Sequence, residues 1–480
     1  MTGSVCIIVW LRQDLRISDN PALHAASQRG AAVVPLFILD EDDPWSPGAA
    51  SRWWLHGSLE ALNRDLRALG SRLILRRGPA SPVLDCLIEE TGATAVYWNR
   101  LFEPWARRRD RVIQRSLEDR GVTVLAFDGG HLVAPDRLVS RSGTPYRVFT
   151  PFWKALTVQV DPTPPLRAPA ALPPPPAGLT GDPLSAWSLR PCDPDWAAGL
   201  RATWKTGEKA AADRLDRFLA DVAPDYKTNR DRPGLCGTSG LSPHLQWGEI
   251  SSRQVWHRVR GHMISGALPD GAGWAFLREL GWRAFCAHLL HHFPTLPEDN
   301  LDRRFDRVAW RDDRDALARW QRAETGYPIV DAGLRELWAT GWMHNRVRMV
   351  VASFLVKHLL IDWRQGAQWF WDTLVDANLA NNTVNWQWVA GSGADAAPYF
   401  RIFNPVLQGE KFDPNGTYVR RWIPELGGLP DKYIHKPWTA PASVLAETGV
   451  RLDGNYPAPM VDLKAARERA LAAFRAIKNG

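Results

Sequence analysis

From Val5 to Phe127 the chain alternates short, almost continuously apolar runs with stretches of helical periodicity. The runs are VCIIVW, AVVPLFIL, RLIL, AVYW and VTVLAF, and helices are expected after Asn20-Pro21, from Ser51 to Leu69, from Ser81 to Glu90 and from Glu103 to Arg120. Strands that are apolar at nearly every position are buried on both faces, so this pattern predicts a doubly wound parallel sheet with helices on either side. From about Asp161 to Pro194 the composition turns to proline and alanine, with PTPPLRAPAALPPPP at its centre. Such a run forms neither helix nor central strand and predicts an extended connection over the surface. After Thr206 strand signals almost vanish. Helices are expected from Glu208 to Leu219, Gln254 to His262, Trp274 to His292, Asp315 to Arg322, Val330 to Thr340, His344 to Leu360, Gly366 to Leu374 and Asp462 to Lys478. The expected architecture is an α/β domain over 1–135, an inter-domain linker over 136–205 and an all-α domain over 206–480.

Two domains also suit the length, since 480 residues exceed what one hydrophobic core usually supports. No apolar run is long enough to span a bilayer, and the start of the chain carries no charged-then-apolar leader, so a cytoplasmic protein is expected. The five cysteines are scattered without a CxxC pair, and His288, His291 and His292 lack a carboxylate partner. Neither a disulfide framework nor a metal site is expected. A net charge of +7, carried mostly by arginine, permits an acidic partner such as nucleic acid without requiring one. No GxGxxG or GxxxxGK[ST] follows any strand, so cofactor chemistry is expected outside the α/β part.

The densest chemistry runs from Asp376 to Pro405, DANLANNTVNWQWVAGSGADAAPYFRIFNP. Asp376, Asn378, Asn381 and Asn382 offer hydrogen-bonding groups and Trp386 and Trp388 offer flat apolar faces, which suits a planar, polar-edged ring. A loop of turn formers followed by a helix with core tryptophans explains the segment equally well. On a helix the two tryptophans, two residues apart, point to opposite sides. Upstream, Thr238, Ser239 and Ser242 surround Gly240, with Ser242-Pro243 reading as an N-cap and first helical residue. Free N–H groups and hydroxyls at such a start bind phosphate, although any capped helix gives the same signal. Glu279, Trp282, Arg283 and Cys286 share one helical face, either as the wall of a polar-aromatic pocket or as a Glu279-Arg283 surface ion pair beside a half-buried indole. Asn345 and Met349 stand one turn apart on an apolar helix, flanked by Arg346 and Arg348, which need anions; Asp376 is a candidate partner.

Taken together, VWLRQDLRISDNPAL, TSGLSPHLQWGEIS, WRAFCAHLL, TGYPIVDAGLRELWATGWMHNRVRM, ASFLVKHLLIDW and NWQWVAGSGADAAPYFRIFNPVLQGEKFDP make the chain resemble the photolyase/cryptochrome family over nearly its whole length. The resemblance implies a monomeric flavoprotein that binds FAD in the helical domain and repairs cyclobutane pyrimidine dimers in UV-damaged DNA by light-driven electron transfer, a carbon–carbon lyase of the class I or class III kind. By matching position, Tyr226, Thr238, Ser239, Leu241 and Ser242 would lie near the phosphates of FAD, and Arg348, Asp376, Asn378 and Asn382 around its ring. Trp282 and Trp388 would hold the flipped dimer, with Glu279, Asn345 and Met349 in its pocket. Trp386, Trp363 and Trp310 resemble the family's electron relay, and Arg230, Arg346 and Arg401 its contacts to DNA phosphates.

Asn382, opposite flavin N5 in this matching, favours repair, since plant cryptochromes typically carry aspartate there and animal ones cysteine. The alternative is a blue-light photoreceptor without repair activity. Several positions depart from the family pattern: Asn378 stands where repair enzymes usually have aspartate, Gly240 replaces a larger residue, and Phe276 stands where some members have tryptophan. Ala106 falls where one folate-antenna mode uses glutamate. The antenna therefore stays open between methenyltetrahydrofolate in another pose, 8-hydroxy-5-deazaflavin, and none.

Overall fold

The computed structural model describes residues 6–140, 142–160, 162–396 and 401–479, with residues 478 and 479 described by their backbone alone. Val5 and Asp161, where the first strand and the proline-rich stretch were expected to begin, lie outside it, as do 397–400 and the side chain of Lys478. Five parallel strands form one sheet in the order β3-β2-β1-β4-β5: β1 (Cys6–Leu11), β2 (Ala32–Leu39), β3 (Ile74–Arg77), β4 (Ala95–Asn99) and β5 (Thr123–Phe127). The crossovers are α1 (Pro21–Ser27), α2 (Ala49–Ala68), α3 (Ala80–Thr91) and α4 (Pro104–Asp119). Alternate residues of β1 enter two separate cores, Ile7, Val9 and Leu11 on one face and Cys6, Ile8 and Trp10 on the other. That is the doubly wound arrangement expected of continuously apolar strands.

The stretch 136–205 is more structured than a plain linker. Phe149–Gln159 forms α5, whose Phe149, Phe152 and Leu156 join the core around Phe285 of the helical part. Among described residues 162–197 there is no strand or α-helix, as the prolines dictate, yet Leu172, Trp187 and Leu189 are buried against the α/β core. The extended chain is pinned there by backbone bonds from Leu172 N–H to Leu69 O and from Asp182 N–H to Leu75 O.

From Ala198 the chain is helical: α6 (Ala198–Thr203), α7 (Glu208–Arg217), α8 (Tyr226–Asn229), α9 (Ser242–Gln246), α10 (Ser252–Ile264), α11 (Asp270–His292), α12 (Arg314–Gln321), α13 (Pro328–Thr340), α14 (Asn345–Ser353), α15 (Trp363–Thr373), α16 (Leu379–Ala390), α17 (Pro405–Phe412), α18 (Thr417–Trp422), α19 (Asp431–Ile434), α20 (Ala442–Thr448) and α21 (Leu463–Asn479). The helix expected from His344 to Leu360 is α14 followed by a wider turn over Phe354–His358, closed by Leu359 N–H to Phe354 O. That turn delivers buried Lys357 to Ala390 O, one of the last carbonyls of α16.

The α/β and helical parts meet along a buried polar seam. The guanidinium of Arg16 donates to the carbonyls of Gly248, Asp19 and Gly129. Asp19 accepts from Ser251 Oγ and Arg253. Fully buried Glu249 collects Ser58 Oγ at 2.6 Å, Gly207 N–H at 2.6 Å and His244 Nδ1 at 2.5 Å. Gly248 has φ +66°, and any side chain there would collide with Gln13. Removing a buried carboxylate strands all its donors. Glu249→Ala is therefore expected to lower unfolding free energy by roughly 3 kcal/mol in urea titration.

Candidate functional site

One cavity of about 550 Å3 lies within the helical part, a size typical of small-molecule and cofactor sites. Its first wall is the loop from Thr238 into α9. Ser239 Oγ accepts from Leu241 N–H, and Gly240 sits at φ +61° with Arg214 where a side chain would go, which accounts for the small residue. The expected N-cap is corrected: α9 starts at Ser242, Leu241 holds the capping position in a helical conformation, and Ser242 Oγ instead accepts from Trp342 Nε1 at 3.2 Å. Tyr226 closes this end beneath Phe276, its phenol pushed up mainly by burial and further by Glu279.

The second wall comes from α14 and the start of α16. Arg348 donates to Asp376 Oδ2 at 2.9 Å and to Met343 O at 2.7 Å, while Asp376 Oδ1 is buried without a hydrogen-bond partner. Asn378 is the N-cap of α16: its Oδ1 accepts from Asn381 N–H, and its Nδ2 donates to Gln246 Oε1 at 2.8 Å. Asn382 donates Nδ2 to Ala367 O, which leaves its Oδ1 as the ligand-facing end.

The third wall carries Glu279 and Trp282 of α11, Asn345 and Met349 of α14, and Trp388 of α16. The Glu279-Arg283 surface pair does not form. Arg283 is half-buried and donates to Leu245 O, its guanidinium lowered by desolvation, while Glu279 pairs with Arg230 at 2.5 Å. Arg346 pairs with Asp231 at 2.9 Å. Two arginines expected on phosphates thus hold carboxylates here. Arg401 lies outside the cavity, exposed, its guanidinium 5.9 Å from the Trp388 ring centre.

Trp386 and Trp388 both line this cavity and differ in burial. Trp386 is buried against Phe370, with Gly366 leaving room for its ring, and Trp388 is half-buried. Trp363, buried with Nε1 on Asn300 Oδ1, shares one hydrophobic cluster with Trp386, and half-buried Trp310 packs on its edge. The structure therefore gathers the expected cofactor-loop, ring and pocket residues, with Arg230, Arg346 and Trp386, on one cavity, and leaves Trp363, Trp310 and Arg401 off it.

Sequence reasoning missed Gln246, which fixes the Asn378 amide and also lines a second cavity of about 170 Å3, walled by Trp45, Trp105, Trp371, Glu103 and Ala106. Its spacing of four from Ser242 on a helix was the available signal. Cys286 also lines the larger cavity, with burial pushing its thiol up to about 12, so it is no thiolate nucleophile. His288 accepts from Tyr146 N–H, consistent with a hydrogen-bonded histidine cluster.

The sequence profile described as DNA photolyase matches residues 7–174, and that described as FAD binding domain of DNA photolyase matches 276–476. The chain belongs to the DNA photolyase family. It is 51% identical to the deoxyribodipyrimidine photo-lyase of Agrobacterium fabrum over 98% of both chains, and 40% identical to cryptochrome-2 of Arabidopsis thaliana over 96% of this chain and 77% of that one. A crystal structure of a bacterial class III photolyase from Agrobacterium tumefaciens superposes with a TM-score of 0.97 at 50% identity, covering 100% of this chain and 99% of that one.

The cofactor is FAD, and the cavity fits it. The buried acceptor Asp376 Oδ1 needs a donor that the protein does not supply, and hydroxyls of Thr238 and Ser239 line the opposite end. A hydrogen bond to a charged group is worth about 1.5–3 kcal/mol. Asp376→Asn should accordingly weaken FAD binding by about ten- to a hundredfold in fluorescence titration of apoprotein.

Proposed function

We propose that this chain is a light-driven deoxyribodipyrimidine photolyase of the class III kind, splitting cyclobutane pyrimidine dimers in UV-damaged DNA. The observation that carries the reading is the meeting, on one cavity, of a polar wall suited to a flavin ring and an aromatic wall suited to a flipped dimer. Thr238, Ser239, Leu241, Ser242 and Tyr226 hold the phosphate side of FAD, and Arg348, Asp376, Asn378 and Asn382 its ring. The chemistry that bound, reduced FAD supplies is transfer of one electron to the dimer on illumination and its recovery afterwards. Trp282 and Trp388 clasp the extruded pyrimidines, and Asn345 and Met349 fill the remaining contour. Glu279 hydrogen-bonds the bases, accepting from their N–H groups and so orienting the dimer as charge develops on it. As DNA docks, Arg230 and Arg346 exchange carboxylate for phosphate, and Arg401 adds a third contact, so affinity falls with salt and is indifferent to sequence.

Trp386, Trp363 and Trp310 form the path by which electrons reach the cofactor from the surface. The smaller, tryptophan-walled cavity is the candidate seat for an antenna, a folate or deazaflavin. We further read the protein as a cytoplasmic monomer, as the family resemblance implies.

The test is illumination of the chemically reduced protein with a thymine-dimer oligonucleotide, scored by restoration of thymines. Wild type should repair; absence of repair under anaerobic, reducing conditions overturns the proposal in favour of the photoreceptor reading that the cryptochrome-2 similarity supports. Glu279→Ala should slow repair roughly tenfold or more while retaining flavin. Trp386→Phe should abolish photoreduction yet spare repair by protein reduced with dithionite.

A further inference from the structure

Trp282 reaches the cavity with one face already covered. Phe149, the first residue of α5, stacks on it with ring centres 3.6 Å apart and planes only 6° from parallel. Phe149 is itself fixed from three sides. Arg278, one helical turn before Trp282 on α11, lies with its guanidinium 4.7 Å from the Phe149 ring centre. Trp153, a turn further along α5, stacks at 6.2 Å, and the Phe149 N–H bonds to Asp395 in the loop after α16. Phe149 is fully buried whereas Trp282 is half-buried, so the phenyl ring is structure and the indole is the exposed end of the stack.

We propose that Phe149 is a positioning residue for lesion recognition: it clamps the Trp282 indole in one plane, so that the free face meets the flipped dimer already ordered. This rests on the reading of Trp282 as a lesion contact. A clamped indole loses no rotational freedom when the dimer stacks on it, whereas an unclamped one must be immobilised at that moment. The stack also gives the 136–205 stretch a part in the site.

Phe149→Leu and Phe149→Met keep an apolar side chain in the buried position and remove the flat face. Both should retain flavin and bind undamaged DNA as wild type does. Both should weaken binding of a thymine-dimer oligonucleotide about three- to tenfold. Repair yield per bound dimer should be unchanged, so that the effect falls on KM and not on kcat. If both variants bind the dimer like wild type while Trp282→Ala loses it, the clamp is refuted and the site reading stands. If Trp282→Ala also leaves dimer affinity unchanged, the placement of the lesion and the clamp fall together. A loss of kcat with KM unchanged equally refutes the clamp.

Discussion

Arg16 and Glu249 set the condition that the rest of the molecule meets. Both are buried between the α/β and helical parts, and each takes one partner from across the junction, Arg16 the carbonyl of Gly248 and Glu249 the hydroxyl of Ser58. The geometry of that seam is therefore narrow. It brings Gly248 against Gln13 with no room for a side chain, and α9 leads directly into it. The cavity loop and Gln246 inherit their position from this junction, so the cofactor wall is referenced to both parts of the chain.

The sheet and the long helices were legible because their signal is local and periodic. Continuous apolar strands and 3.6-residue stripes survive any tertiary context, and α2, α4, α11 and α13 lie within a few residues of expectation. The short helices α17 to α20 were not, because four to eight residues carry little measurable period. α5 was hidden by its neighbourhood: a proline-rich composition explained the stretch around it well enough to mask an eleven-residue helix.

The site shows the same division. Most residues that line the cavity could be named from motifs, yet their pairings could not. Arg230 and Glu279 are 49 positions apart, and nothing in either motif says that one neutralises the other. Ser242 was misread for a related reason: the residue before a helix and the first residue within it look alike beside a proline, and only the backbone angles of Leu241 separate them. Buried donors and acceptors choose partners in three dimensions, and sequence reports only which of them need one.

The wall between the two cavities is a pair of amides, Asn378 and Gln246. Because Asn378 offers its NH2 group, Gln246 must turn its oxygen toward it, and Gln246 is at the same time part of the wall of the smaller space. A carboxylate at 378 would reverse this, drawing the Gln246 NH2 toward it. One atom's difference in the larger cavity thus sets the orientation of an amide that lines the smaller one. The two chambers cannot drift independently in evolution, and a ligand chosen by one constrains the wall of the other.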